Sequence, residues 1–286
     1  MKHNNMKNIQ FKDLSNDIWL GWARKEILEG KLRDLIIPEY IQVIPERAFA
    51  DCQNLASVTF HHKIKYICDA AFAGCTSLRS VAVPGRFLAS FHKIFEGCSA
   101  ISSLMLTSGS AVVKSDEEMK QEWESELSAF SKLTTLEITD KVTEIDPEIL
   151  YRFKSLKTIK VSREHELYQS VGRDKLLVEK KTGRLLYALS SHITSDVLGI
   201  GSSAFRGLKS SDSVFIPKGI VKVDPRAFDG CQALKSIVVS EDNPVYDSRN
   251  GCNAVIETST NTLVAACLGT VLPDGVTDPQ HLLCSM

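Results

Sequence analysis

Long hydrophobic runs are missing from this 286-residue sequence: nowhere do roughly eighteen apolar residues follow one another, so no membrane-spanning helix is signalled. The N-terminus, "MKHNNMKNIQFKDLSNDIW", starts basic but lacks the apolar core of a secretory signal. Neither sign of charge is in excess. With 34 Lys and Arg against 35 Asp and Glu, no bulk field draws the chain to nucleic acid or an anionic bilayer. Eight cysteines are present, yet no two form a C-x-x-C pair, which removes the zinc-ribbon and thioredoxin-type readings. G-x-S-x-G, G-x-x-x-x-G-K-[ST] and H-E-x-x-H are absent, and "GIGSSAFRG" (Gly199 to Gly207) has the wrong glycine spacing for a dinucleotide turn. His61 and His62, adjacent on one expected strand, point to opposite faces and cannot share a metal. His3, His92, His165, His192 and His281 have no acidic or cysteine neighbour at a recurring ligand spacing. The sequence therefore calls for no catalytic residue, no cofactor and no metal, and as it stands it is expected to be cytoplasmic with reduced thiols.

What is present is a ruler. Phe49, Phe72 and Phe95 lie 23 residues apart (72 − 49, 95 − 72), and Cys52, Cys75 and Cys98 keep that step three residues later. Phe205 and Phe228 repeat the interval, as do Leu127 and Leu150 in the phenylalanine's place. Six, nine and eleven residues after each anchor comes an L-x-x-L-x-L triplet, such as Leu55, Val58, Phe60 or Leu234, Ile237, Val239; Leu32, Leu35 and Ile37 continue it upstream. Eight and five residues before the anchor lies a second apolar pair, among them Ile41 with Ile44, Ile64 with Ile67, and Ile220 with Val223. No unit of this size can bury so many inward positions alone, so the units are expected to stack.

A longer copy confirms the register. A shift of 78 residues (224 − 146) superposes Asp146, Pro147, Leu156, Ile159, Val161, Tyr168, Ser170, Glu179 and Ala188 on identical residues between Asp224 and Ala266. Inside it, apolar runs flanking the polar turns Lys180 to Arg184 and Thr258 to Thr262 predict β-hairpin insertions over 163–196 and 241–274. A helical insertion is expected over 107–126, where Ser115 and Glu118 make a capping box and Met119, Trp123 and Leu127 recur every four residues.

The pattern A-F-x-x-C-x-x-L-x-x-V-x-[VI]-P, at Ala48 to Phe60, Ala71 to Pro84 and Ala227 to Val239, resembles the BspA-like leucine-rich repeats of bacterial surface proteins. So does "NPVYDSRNGCNAVIETSTNTL". The likeness runs from about Leu32 to Gly275. It implies an α/β solenoid with a parallel, concave β-sheet, short helical turns on the convex side, and the two hairpin insertions. Residues 1–31, with the amphipathic stretch "DIWLGWARKEILEG" carrying Trp19 and Trp22, are expected to form an N-terminal helical cap, and residues 32–286 the solenoid.

Phe130, Phe153 and Leu208 stand where the cysteine is due, so that position is valued for apolar bulk, and Cys52, Cys75, Cys98 and Cys231 read as a buried thiol column. Neighbouring members would sit near disulfide distance. The eighth positions, Ser57, Ser80, Ser103, Thr135, Thr158, Ser213 and Ser236, form a hydroxyl ladder facing outward. Beside it the tenth positions vary: Thr59, Ala82, Met105, Glu137, Lys160, Phe215 and Val238. These seven are the candidate partner-binding residues, with Met105 and Phe215 as anchors. The function expected is non-enzymatic capture of a protein ligand, host or bacterial, on the concave face. The resemblance implies a cell-surface adhesin; the alternatives are an intracellular scaffold or regulator using the same face, and an enzyme with its site on the hairpins. Neither nucleic acid nor membrane insertion is expected.

Overall fold

The computed structural model describes residues 16–112, 130–150, 153–206, 208, 209, 211–280 and 282. Two compact units meet in the chain between Ile145 and Asp146.

In the first unit the L-x-x-L-x-L segments form the strands Asp34–Ile36, Ser57–Thr59, Ser80–Val83, Ser103–Leu106 and Thr135–Ile138. They pair in parallel, in that order. Period-two alternation sends successive side chains to opposite faces. Leu35, Val58, Val81, Leu104 and Leu136 accordingly fall in one register row and are all buried. A second, shorter ladder gathers the other apolar pair: Val43–Ile44 runs parallel to Tyr66–Ile67, with Ile44 opposite Ile67. Gly109–Ala111, inside the stretch expected to be helical, is a strand parallel to Val142–Ile145. The capping box and the Met119, Trp123 and Leu127 face lie outside the described residues.

A third ladder joins the A-F-x-x-C turns. The N–H of Phe49 donates to the carbonyl of Ala71 at 2.8 Å and that of Phe72 to Ile94 at 3.0 Å; Asp51 N–H donates to Ala73 and Gly74 N–H to Glu96. Most of these segments are hydrogen-bonded turns; two extend into short helices, Phe91–Ile94 and Pro147–Leu150. The turns of Phe49, Phe72, Phe95 and Phe228 close through a residue in the left-handed region: Asp51, Gly74, Gly97 and Gly230 recur at the same place with φ of 60°, 72°, 71° and 77°. At Gly74 a Cβ would meet only the end of the Asp51 side chain, which can turn aside, so it is the positive φ that favours glycine there.

Stacking of the turns piles up the phenylalanines. Phe49 and Phe72 stack at 5.1 Å between centroids and Phe72 and Phe95 at 5.3 Å, near the roughly 4.8 Å spacing of adjacent strands. Phe91 bridges onward, 4.4 Å from Phe95 and 4.9 Å from Phe130. At the near end of the pile, helix Asn16–Leu28 buries Trp19, Leu20, Ala23 and Ile27. Trp19 meets Phe49 edge-on at 6.5 Å, and Arg24 donates to the carbonyl of Ala48 at 3.1 Å. In later repeats the equivalent carbonyls of Ala71 and Ile94 receive a phenylalanine N–H from the turn before. The guanidinium thus supplies the donor that a preceding repeat would have supplied.

The second unit repeats the scheme. Ser213–Ile216 and Ser236–Val239 pair in parallel, Gly199–Ile200 runs beside Lys222–Val223, and Phe205 stacks on Phe228 at 5.1 Å. Its insertions each hold three antiparallel strands where the sequence pattern showed two: Tyr168–Val171, Leu176–Glu179 and Arg184–Ala188 in one, Tyr246–Asp247, Val255–Glu257 and Thr262–Ala265 in the other. The duplication persists in bonding detail. A bulge between Leu177 and Val178 matches one between Val255 and Ile256. Ser170 Oγ accepts the N–H of Val161, and Ser248 Oγ that of Val239.

Truncating a ring in mid-pile leaves a cavity that neither neighbouring turn can close. Phe72→Ala is expected to lower stability by roughly 3–5 kcal/mol, and Arg24→Ala by about 1–3 kcal/mol through an unmet carbonyl, both read as the shift of a urea unfolding midpoint.

Candidate functional site

The predicted residues lie on outward faces of the parallel strands, four in the first unit and three in the second. In the first unit Thr59, Ala82, Met105 and Glu137 occupy a single register row on consecutive strands. Their accessibility is uneven. Thr59 is exposed and Met105 and Glu137 half-buried, but Ala82 is only 9 % exposed, because its methyl lies between the longer side chains of Thr59 and Met105. In the second unit Phe215 and Val238 are register partners with 53 % and 43 % of their surface open to solvent. Lys160 is exposed on the strand Thr158–Val161.

The row also has a member that sequence counting missed. Ile36 pairs with Thr59 and, at 71 % exposure, is among the most open large apolar side chains of the sheet. The signal was available, since Ile36 falls between the inward residues Leu35 and Ile37, but the count ran forward from a phenylalanine anchor and the first strand has none before it.

The hydroxyl ladder is in place as a row of half-buried residues, with Ser57, Ser80, Ser103 and Thr135 in register. Ser57 Oγ donates to Asp34 Oδ1 at 2.6 Å, which ties the first carboxylate of the row to the sheet. The next hydroxyls along the chain that cross between strands sit one residue earlier: Ser102 donates to the carbonyl of Arg79 at 3.4 Å and Thr134 to that of Ser102 at 3.2 Å. From Thr59 to Met105 the face is uncharged, with Asp34 and Glu137 toward its margins.

The thiol column is interior. Cys52, Cys75 and Cys98 have no exposed surface, Cys231 is 8 % exposed, and Phe130, Phe153 and Leu208 are buried at the matching positions. Bulk is not the thiol's whole contribution. Cys75 Sγ donates to the carbonyl of Phe49 at 3.2 Å and Cys98 Sγ to that of Phe72 at 3.1 Å, each reaching back one turn. Burial pushes the Cys52 thiol up to about 11 and Cys231 up to about 12; the neighbouring Cys98 sulfur and then burial raise Cys75 as well. A thiol held protonated is a poor nucleophile and a poor metal ligand. Cys231 and Cys267 also line a cleft of about 680 Å³ with Phe228, Ala266, Leu268 and Leu282. Asp229 at its rim is paired with Arg226 at 2.8 Å.

His61 and His62 follow the strand Ser57–Thr59 and lie in the turn beyond it, so strand alternation does not orient them. His61 Nε2 is 2.9 Å from the carbonyl of Ile41, and its Nδ1 accepts the N–H of Lys63. His165 is buried, its Nδ1 accepting the N–H groups of Leu167 and Tyr168. Among the described residues no group of three or more His, Cys, Asp or Glu is placed to hold a metal ion, and no helix is long and apolar enough to cross a membrane.

Stacked 23-residue units with a parallel sheet on one side and turns on the other define a leucine-rich repeat solenoid. The BspA type leucine rich repeat region matches residues 28–117, 113–171 and 188–252 in six copies, and the chain belongs to that family. No curated protein matches it. Among solved structures, a leucine-rich repeat protein from Eubacterium ventriosum is 17% identical, with 79% of this chain and 64% of that one covered and a TM-score of 0.38. A leucine rich cell surface protein from Faecalibacterium prausnitzii is 18% identical, with 72% and 60% covered and a TM-score of 0.35. The chain thus spans less than two thirds of either, and its assignment rests on the repeat match.

The thiols carry a pH signature. A group kept neutral by burial stabilises the fold fully below its ordinary value of 9.0 and loses that contribution as pH rises through its folded value, about 11 for Cys52. Urea midpoints are expected to fall between about pH 8 and about pH 11, less steeply in Cys52→Ala than in the parent.

Proposed function

We propose that this protein is a non-enzymatic protein-protein interaction module that captures a protein ligand on the outward, concave face of its repeat sheet. The observation that carries the reading is the exposure of large apolar side chains on ordered strands: Ile36 and half-open Met105 in the first unit, Phe215 and Val238 in the second. An exposed aromatic on a rigid strand has already lost most of its conformational freedom, so docking a partner on it costs little further ordering. Exposed methionine and phenylalanine are enriched at interface centres. Thr59 and Glu137, in the register row of Ile36 and Met105, supply groups able to set orientation and partner choice in the first unit, and Lys160 supplies one in the second.

The family's bacterial surface proteins favour adhesion to a protein of the host or of a neighbouring cell as the context. Fractionation of native cells separates this from a cytosolic scaffold that uses the same face: protein confined to the cytosol ends the adhesin reading. Met105→Glu and Phe215→Glu are each expected to weaken capture of the partner at least tenfold, about 1.4 kcal/mol, in pull-downs from host and bacterial lysates. Because both side chains lie outside the core, far-ultraviolet circular dichroism and the urea midpoint stay at parental values. Undiminished capture by both variants would move the site to the insertions or the turns.

A further inference from the structure

We propose that the strand Asp34–Ile36 pairs antiparallel with the same strand of a second copy, joining two chains about a two-fold axis. Alternate residues of a strand turn their peptide groups to opposite sides. The carbonyl of Arg33 accepts the N–H groups of Ala56 and Ser57, and Ile37 N–H donates to the carbonyl of Thr59 at 2.9 Å. Arg33, Leu35 and Ile37 thus serve the neighbouring strand Ser57–Thr59. Asp34 and Ile36 turn their N–H and C=O groups the other way, where nothing among the described residues bonds them. The side chains at this edge are open as well: Asp34 and Ile36 are exposed on the strand, and Ile18 and Leu28 on the helix before it.

Elsewhere the chain closes such edges. Ile159 N–H donates to the carbonyl of Asp174 at 2.8 Å and Val161 N–H to Ser170 Oγ, while Val239 N–H donates to Ser248 Oγ at 2.9 Å. In both places an insertion takes the donors that a next strand would take. An unpaired edge is a template for another strand, and the edge of Asp34–Ile36 is complementary to itself. In an antiparallel pair centred on Leu35, Asp34 of one copy lies opposite Ile36 of the other, and the two exchange both peptide hydrogen bonds. The two-fold axis repeats the exchange, so every peptide group that the two edges present finds a partner. A contact of this isologous kind closes at two copies. It does not rest on ligand capture, since Met105 lies on the fourth strand of its sheet and Phe215 in the second unit.

Sedimentation velocity on the full-length protein, from roughly 1 μM to 1 mM, spans the affinities of so small a contact. The expected result is a monomer–dimer equilibrium, with amide exchange at Asp34 and Ile36 fast in the dilute monomer and slowed at high concentration. Ile36→Pro removes one donor from each edge and no bond within the chain, because the Ile36 N–H faces outward. It is expected to weaken the dimer at least tenfold while the far-ultraviolet spectrum and urea midpoint hold. Charge reads the register: Ile36→Lys, set beside Asp34 of the other copy, keeps the dimer, and Ile36→Glu at the same place loses it. A monomer throughout the range overturns the proposal, as does a dimer untouched by Ile36→Pro. So does exchange at Ile36 that is already slow in the dilute monomer, which would show that the chain covers its own edge. Should the proline variant not fold, the lysine and glutamate variants decide, and equal retention or equal loss overturns the pairing.

Discussion

A unit of 23 residues that carries a phenylalanine, a thiol and five aliphatic side chains on one side cannot cover them with its own backbone, and every feature of this molecule follows from that shortage. Cover has to come from the next unit, and the next unit covers it only if it presents the same shape at the same height. Hence one-to-one register in the main sheet, a second short ladder, and a third set of peptide bonds between turns. The ring spacings of 5.1 to 5.3 Å are what remains when phenylalanines must follow the pitch of a parallel sheet. Stability in such an array is local: each interface is held by its two members, and a defect is felt first by its neighbours.

The same logic explains the insertions. A three-stranded excursion is tolerated only if it returns the chain to the register it left, and both do so by equivalent bonds. In one, His165 Nδ1 accepts the N–H groups of Leu167 and Tyr168; in the other, 78 residues on (243 − 165), Asn243 Oδ1 accepts those of Val245 and Tyr246. A ring nitrogen and an amide oxygen are unlike chemically but alike as acceptors at the start of a turn. The duplicated segment has conserved the hydrogen bond and let the residue change.

Much of this was legible because repetition turns sequence position into spatial position. Phe49, Phe72 and Phe95 had to pile up once the interval of 23 was seen, and Val58, Val81 and Leu104 had to share a row. Features with no repeated signal were less visible. Tyr168–Val171 and Tyr246–Asp247, the first strands of the insertions, are short and mix polar with apolar residues, so no alternation marked them. The thiol's bond to the preceding carbonyl was hidden because Phe130, Phe153 and Leu208 fill its place without a donor, which made bulk look like the whole explanation. On the candidate face, direction was readable and exposure was not: Ala82 points outward with its row, but how much water it sees depends on the lengths of Thr59 and Met105 beside it.

Helix Asn16–Leu28 begins the stack by imitation. Trp19 offers an edge where a preceding phenylalanine would offer a face, and Arg24 offers a side-chain donor where that residue would offer its peptide N–H. Nothing in these two contacts reads the identity of what lies deeper in the array; they require a ring and a carbonyl on the opening turn. These two contacts are matched to what the units share, a ring and a carbonyl, and not to what distinguishes one unit from the next.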